Sequence, residues 1–244
     1  FVVHPLLIAQ QTVSYLSMVL NDIGVNAKAM TGYQAGIKTV GHHLKSKIAE
    51  INPNIFNEAF KNHDILVVAG FQGINEDFEL TTLGRGGSDT TAVALAASNQ
   101  TPCEIYTDVD GVYATDPRIL NEAKRLEYVS YEEMMEMSAL GAGVLETRSV
   151  ELAKNYDIPL YLGRTLSNVK GTWIMSKSDL LEKKAVTGVA LDTHMMHVTI
   201  SYPLPDNQLL TQLFTALEEE SVNVDMISQI VNLEGLQLSF SIKD

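Results

Sequence analysis

The residues with most capacity for chemistry lie in one glycine-rich segment, LGRGGSDTTAVALAA at 83–97. Three glycines, Gly84, Gly86 and Gly87, free the backbone to adopt left-handed angles and to approach a ligand closely. Ser88 is predicted to cap the helix that follows. Because a helix start carries unpaired N–H groups and a partial positive charge, the segment predicts a binding loop for phosphate or carboxylate.

Two charged side chains belong to this loop. Arg85 offers a planar fork that can hold a carboxylate or a phosphate through two hydrogen bonds. Asp89 rules out a dinucleotide-binding fingerprint, because it stands where the last glycine would be, and no Gly-Lys-Ser/Thr follows to make a Walker A loop. The alternative interpretation is a turn that only connects two elements.

A second polar segment, YTDVDGVYATDPR at 106–118, follows a short predicted strand. Thr107 and Asp108 therefore fall at the carboxyl end of a strand, which is where ligands gather in open α/β sheets. Asp110 and Gly111 are predicted to form only a turn.

Composition limits the classes of partner. The chain has 244 residues, 45% of them hydrophobic, which is ample for a buried core. Its net charge of −13 argues against nucleic acid and anionic membrane surfaces as partners and favours small molecules. A single cysteine, Cys103, indicates a buried thiol in a reducing compartment. With no signal peptide and no apolar run of about 20 residues, we expect a cytoplasmic protein.

Strand and helix patterns alternate in the part of the chain that must position these segments. Buried strands are predicted at 25–30, 65–69, 104–107 and 158–162, and a helix is predicted to end at Gly24. Ser130 and Glu133 form a capping-box pair in front of another helix. This order predicts an α/β fold with a mainly parallel sheet covered on both faces.

The pattern changes from about residue 186. A strand at 195–202, a helix with apolar residues at helical spacing, and strands near 222–228 and 236–242 make β-α-β-β, most of a ferredoxin-like unit. The apolar helix residues are Leu209, Leu210, Leu213, Phe214 and Leu217. We expect the second helix and the fourth strand of such a unit to be missing from this sequence.

Several motifs in this order resemble those of aspartate kinases. They are TGYQAGIKT (31–39), VVAGFQG (67–73), LGRGGSDTTA (83–92), EIYTDVDGVYATDPR (104–118) and YEEMMEMSALGAGVLETRSVELA (131–153). The resemblance implies an amino-acid kinase domain, a three-layer sandwich, over 1–178. The VTGVAL segment and the β-α-β-β pattern resemble an ACT regulatory domain, here incomplete, over 185–244.

The resemblance implies transfer of the γ-phosphoryl group of ATP to the side-chain carboxylate of L-aspartate, giving 4-phospho-L-aspartate on the route to lysine, threonine and methionine. It implies that Arg85 holds the α-carboxylate of aspartate. Gly86, Gly87 and Ser88 would face the reacting end, and Asp89 would orient the loop.

The same resemblance implies the remaining binding residues. Thr31, Gly32 and Phe71 are candidates for the wall of the aspartate pocket, although ordinary turn and packing roles are the alternative. Candidates for the nucleotide site are Thr107, Asp108, Tyr113, Asp116 and Arg118. Because Mg²⁺ in this family is held chiefly by ATP phosphates, we assign it no protein ligand. Lysine or threonine is the expected effector at the ACT domain, and the open sheet edge there predicts a homo-oligomer.

Two departures from the family keep other hypotheses open. No lysine precedes Lys28, so the family's Lys-Phe-Gly-Gly motif is not found, and Gly143 stands where the family has a lysine that reaches ATP. Arg148 and Lys154 are the candidates to replace these cations. The alternatives are a catalytically weakened module that senses an amino acid and a related kinase that uses glutamate or N-acetylglutamate.

Overall fold

The structure is a computed structural model that describes residues 3–176, 186–191, 195–202, 207–220, 222–232 and 235–243. The chain separates into two compact units, residues 1–191 and residues 192–244. The predicted domain limits at 178 and 185 lie in the segment 177–185, outside the described residues.

The first unit contains helices α1 to α5 and strands β1 to β10. The helices are α1 (Val3–Asp22), α2 (Pro53–Ala59), α3 (Gly87–Asn99), α4 (Tyr131–Ala139) and α5 (Thr147–Asn155). The strands are β1 (Ala27–Met30), β2 (Ile37–Val40), β3 (Lys47–Ile51), β4 (Ile65–Val68), β5 (Gln72–Ile74), β6 (Leu80–Thr82), β7 (Cys103–Thr107), β8 (Tyr128–Ser130), β9 (Leu160–Arg164) and β10 (Thr172–Met175).

Parallel and antiparallel strand pairs both occur in this unit. β1 pairs with β4, β2 with β5, β7 with β9 and β8 with β10 in parallel. The pairs β2–β3, β5–β6 and β9–β10 are antiparallel, because short connections allow a hairpin whereas parallel neighbours need a longer crossover. The predicted α/β class is confirmed, and its sheets are mixed.

The main core of the first unit lies where α3, α4 and α5 meet the sheet ordered β7-β9-β10-β8. Met134, Val150, Leu160 and Ile174 are fully buried there. Val93 of α3, Cys103 of β7 and Leu162 of β9 belong to this core, so it packs against the elements that carry the two polar segments predicted from sequence.

Local signals for helix ends agree with the structure at two places. The Ser130 hydroxyl accepts a hydrogen bond from the N–H of Glu133, and the Glu133 carboxylate accepts one from the N–H of Ser130, which confirms the capping box. Helix α1 ends at Asp22, and Gly24 follows with a left-handed φ of 88°.

The second unit has the predicted β-α-β-β order. It consists of β11 (Met195–Tyr202), α6 (Asn207–Glu219), β12 (Val224–Asn232) and β13 (Gly235–Lys243). β13 lies between the other two strands and runs antiparallel to both. Leu236, Leu238 and Phe240 are buried on one face, and Phe214 of α6 packs against Phe240. The side chain of Leu209 lies outside the described part.

Within the described parts of the chain, no helix is both long enough and apolar enough to cross a bilayer.

Candidate functional site

The glycine-rich loop leads directly into α3, and the helix begins earlier than the sequence predicts. Gly86, at a left-handed φ of 65°, is the N-cap, and Gly87 is the first helical residue. The prediction that Ser88 caps the helix is therefore wrong. The Gly86 carbonyl accepts hydrogen bonds from both the N–H and the hydroxyl of Thr90, which starts the helix before Ser88 is reached. Ser88 lies exposed in the first turn. The N–H of Gly87 donates to the Gly84 carbonyl at 3.1 Å. Among the described residues no side chain caps this start, so the N–H groups that follow Gly87 are available to an anion.

The glycines of the loop are required by close packing as well as by their backbone angles. A Cβ at Gly86 would fall 2.3 Å from the Cβ of Glu146, the N-cap of α5. A Cβ at Gly87 would fall 2.8 Å from the ring of Phe71. The starts of α3 and α5 therefore meet at Gly86, and Phe71 covers the other side of the loop.

Phe71 is held against the loop by its backbone. Its φ is 70°, an uncommon left-handed value for a residue with a side chain. Its N–H donates to the hydroxyl of Thr91 in α3 at 3.1 Å, and its carbonyl accepts from the N–H of Leu83 at 3.1 Å. A Cβ at the preceding Gly70 would lie 3.5 Å from the Cα of Ser88. Such strain accompanies a position fixed by its surroundings.

The Thr31–Gly32 turn reaches the same place through Gln72. A Cβ at Gly32 would fall 2.4 Å from the Gln72 carbonyl oxygen, so only glycine allows this contact. The Thr31 hydroxyl accepts a hydrogen bond from the N–H of Gln34 and so belongs to its own turn. Gly32, Phe71 and the Gly87–Ser88 start of α3 thus form one cluster through neighbouring contacts: Gly32 packs on Gln72, and the preceding Phe71 packs on Gly87.

Arg85 differs from its neighbours because it is exposed. Within the described part of the chain its side chain makes no recorded hydrogen bond or ion pair, so its guanidinium is available to a ligand. A free fork beside an uncapped helix start suits a carboxylate or phosphate.

Asp89 is half-buried behind the loop. Burial is the largest effect on its carboxyl and raises its pKa, and the negative charge of Glu146 adds to the rise. A hydrogen bond from the backbone N–H of Glu146 to the carboxylate acts in the opposite direction. Glu146 was missed from the sequence, because its distance of 60 positions from Gly86 gave no local signal.

Arg148 and Lys154, the candidates to replace the missing lysines, both contact other parts of the protein. Arg148 donates from Nη1 to the Leu83 carbonyl and from Nη2 to the Ser46 carbonyl, each at 3.1 Å. Lys154 forms an ion pair with Glu132 at 2.8 Å. Arg148 therefore fixes the entry to the glycine loop.

The second polar segment begins where β7 and β9 end side by side. Thr107 and Arg164 are register partners at the carboxyl ends of these parallel strands. Arg164 donates from Nε and Nη2 to the carbonyl of Asp108, at 3.0 and 2.8 Å. The Thr107 hydroxyl donates to the Asp108 carboxylate and accepts from the N–H of Val109. Arg164 was missed in the sequence, although the parallel pairing of two predicted strands would have placed it here.

Asp110 has more than the turn role predicted for it. Its carboxylate lies 3.4 Å from Nε of Arg164, and it accepts a long, 3.5 Å hydrogen bond from the Tyr113 hydroxyl. Gly111 has a φ of 145°, and a Cβ there would fall 2.6 Å from the buried hydroxyl of Thr172. Asp110 therefore links Tyr113 to the end of β9.

Asp116 and Arg118 are bound chiefly to each other. Arg118 makes a two-pronged contact to the Asp116 carboxylate, with Nη2 to Oδ2 at 2.7 Å. Hydrogen bonding to Arg118 lowers the pKa of Asp116. The recorded contacts join this pair to neither Thr107 nor Asp108, so the structure gathers only part of the predicted nucleotide set.

The described residues contain no group of three His, Cys, Asp or Glu side chains arranged to hold a metal ion.

The sequence and the fold of this chain are similar to those of known proteins. The family model described as the amino acid kinase family matches residues 7–164. Aspartokinase 2 of Bacillus subtilis is 44% identical over 96% of this chain, and aspartokinase of Geobacillus stearothermophilus is 42% identical over 96%. The chain spans 58% of the length of each of these relatives.

Solved structures agree with this comparison. E. coli aspartokinase III in complex with aspartate and ADP has a TM-score of 0.76 and 26% sequence identity, over 93% of this chain and 51% of that one. Aspartate kinase from Synechocystis has a TM-score of 0.58 and 33% identity, over 96% of this chain and 40% of that one. The family match covers well over half of the sequence and both polar segments. The chain therefore belongs to the amino acid kinase family.

Proposed function

We propose that this chain forms part of an aspartate kinase, which transfers the γ-phosphoryl group of ATP to the side-chain carboxylate of L-aspartate. The observation that carries the proposal is the cluster of Gly32, Phe71 and the uncapped start of α3, with the free guanidinium of Arg85 beside it. The similarity to named aspartokinases, one of them solved with aspartate and ADP, supports this substrate pair.

At the aspartate end, Arg85 binds the α-carboxylate through its fork. Gly86 and Gly87 let the backbone approach the reacting carboxylate, and the Ser88 hydroxyl and the first-turn N–H groups of α3 donate to the transferring phosphoryl group. Asp89, held by the N–H of Glu146, keeps the first turn of α3 in place. Thr31, Gly32 and Phe71 form the wall that excludes water. Phosphoryl transfer depends mainly on such positioning and on neutralisation of charge.

At the nucleotide end, Thr107, Asp108 and Tyr113 line the site at the carboxyl edge of β7 and β9, and Asp116 with Arg118 lies at its periphery. Mg²⁺ enters with ATP, carried by the nucleotide phosphates, and neutralises part of the triphosphate charge when bound. The 107–118 segment carries carboxylate and hydroxyl oxygens, and Asp108 is exposed. Such oxygens suit a Mg²⁺ ion that is held mainly by phosphate and water.

Regulation belongs to the same proposal. The second unit, with its β-α-β-β order, is an incomplete ACT domain that binds lysine or threonine and joins copies of the protein through its open sheet edges. E. coli aspartokinase III has been solved with lysine and aspartate, which supports an amino-acid effector. We place the protein in the cytoplasm, on the pathway to lysine, threonine and methionine. If saturating lysine and threonine, alone and together, leave the aspartate kinetics unchanged, the regulatory part is wrong.

A second function is favoured by one observation. Arg148 and Lys154 each have a protein partner, which disfavours both as replacements for the lysine that the family has at position 143. A catalytically weakened module that binds an amino acid without transferring phosphate would have the same site.

The test uses L-aspartate labelled with ¹³C at the side-chain carboxyl. With ATP and Mg²⁺, the intact protein should move that resonance to the position of an acyl phosphate, while aspartate labelled at the α-carboxyl stays unchanged. Binding of aspartate without any shifted resonance would favour the sensing module. Turnover of glutamate in preference to aspartate would favour the related kinase.

A further inference from the structure

We propose that Arg164 is a nucleotide-binding residue that holds the 107–111 loop through one part of its guanidinium and contacts a phosphate of the nucleotide with the rest. This inference rests on the proposed kinase function and names a residue that the motifs did not include. It is carried by three features of Arg164: its position, the use of its donors and the charge around it.

The position of Arg164 follows from strand pairing. β7 and β9 are parallel neighbours, and Thr107 and Arg164 are partners at their carboxyl ends. A backbone hydrogen bond from the N–H of Thr165 to the Thr107 carbonyl continues the pairing by one residue. Because ligands of open α/β sheets bind outside the carboxyl ends of the strands, Arg164 stands at the expected ligand edge.

The donors of Arg164 are only partly used. Nε and Nη2 both donate to the carbonyl of Asp108, while Nη1 makes no recorded hydrogen bond within the described part of the chain. The side chain is 52% exposed. An arginine has five N–H donors in a rigid fork, so the contact to Asp108 fixes the orientation of the plane and leaves donors for an anion.

The charge of Arg164 is only partly compensated. Its hydrogen-bond partner is the neutral carbonyl of Asp108, and its ion pair with Asp110 is a single contact of 3.4 Å from Nε, which does not involve Nη1. Arg118, by contrast, has its charge paired with Asp116 through a two-pronged contact. A polyphosphate at this edge would meet the exposed carboxylate of Asp108 and therefore needs a nearby cation.

The test measures ADP and adenosine binding to the intact protein by ligand-observed NMR titration. Arg164→Met should weaken ADP binding by about 30-fold, because a charge-assisted contact to phosphate is lost, and should change adenosine binding much less. Arg164→Lys keeps the charge without the fork and should recover part of the ADP affinity. Lys38→Met, which removes another exposed cation, this one paired with Glu50, is the control and should leave both affinities unchanged.

A purely structural role for Arg164 gives a different result. If the residue only shapes the loop, Arg164→Met should weaken the binding of ADP and of adenosine by the same factor. That outcome overturns the inference, and so does an unchanged affinity for ADP. Melting curves of Arg164→Lys and Arg164→Met show whether each variant is folded. If the unaltered protein binds no ADP, the proposed function itself fails and this inference fails with it.

Discussion

Gly86 packs so closely against the side chain of Glu146 that only glycine fits at position 86: a Cβ there would lie 2.3 Å from the Cβ of Glu146 and 2.4 Å from its Cγ. The contact joins the start of α3 to the start of α5. The shape of the glycine-rich loop is therefore fixed by the N-cap residue of another helix.

Gly86→Ala should disrupt the loop for two separate reasons. The left-handed φ of 65° disfavours any residue with a Cβ, and the new methyl group would have to displace Glu146. Together these effects should lower the free energy of unfolding by about 2 to 5 kcal/mol, measured by urea denaturation. Aspartate-dependent turnover should fall with it.

Gly24→Ala is the matched control for this prediction. Gly24 also has a left-handed φ, 88°, but nothing lies within 4 Å of its Cβ position. It should lose only about 1 kcal/mol. Equal losses at both positions would show that the contact with Glu146 adds nothing.

Arg85→Ala tests the proposal that Arg85 binds the α-carboxylate of aspartate. The exposed side chain makes no hydrogen bond or ion pair with the described residues, so its removal should leave the melting temperature unchanged. It should cost about 2 to 4 kcal/mol in kcat/KM for aspartate, because a two-pronged charge-assisted contact is lost. The KM for ATP should stay close to its original value, and Arg85→Lys should fall between the two. An unchanged kcat/KM would move the aspartate site elsewhere.

Arg148→Met tests a structural role. This partly buried side chain donates to the carbonyls of Leu83 and Ser46, and its loss leaves both acceptors without that donor. Stability should drop by about 1 to 3 kcal/mol. Lys154→Met, which breaks only an exposed ion pair with Glu132, should change stability by about 0.5 kcal/mol or less. A fall in kcat with unchanged stability would instead place Arg148 at the phosphate.

The sequence predicted the elements better than it predicted their contacts. The α/β order, the capping box of Ser130 and the β-α-β-β tail all follow from local periodicity and helix-end signals, which short segments carry by themselves. The cluster of Gly32, Phe71 and Gly87 was grouped from the family resemblance, and the structure explains it by close backbone packing.

Other contacts of the site could not be predicted from short stretches of sequence. Ser88 was taken as the helix cap because serine favours that position, but the left-handed Gly86 starts α3 earlier. Glu146 and Arg148 meet the loop from a helix about 60 positions further along, and no periodicity indicates such a contact. Arg164 required knowledge of which strands pair in parallel.

Asp89 predicts a pH dependence of stability. Because burial raises its pKa above the ordinary value of 3.8, the folded state favours the protonated form. The favourable contribution of Asp89 is therefore complete below pH 3.8 and is lost as pH rises through the pKa of the folded protein. Asp89→Asn keeps an acceptor for the N–H of Glu146 and removes the charge.

Urea denaturation across a pH series checks this prediction. Asp89→Asn should be more stable than the unaltered protein at neutral pH, and the difference should shrink as the pH falls toward 3.8. A variant that is less stable at neutral pH, with a gap that grows as pH rises, would mean that the carboxylate is stabilised by its surroundings.

The most direct test of the central claim is hydroxamate formation by the intact protein with ATP, Mg²⁺ and hydroxylamine, which traps acyl phosphates. L-Aspartate, L-glutamate and N-acetyl-L-glutamate are supplied in parallel. We predict hydroxamate with aspartate alone. No hydroxamate with any of the three acids, in a protein that still binds aspartate, would contradict the kinase assignment and identify a sensing module.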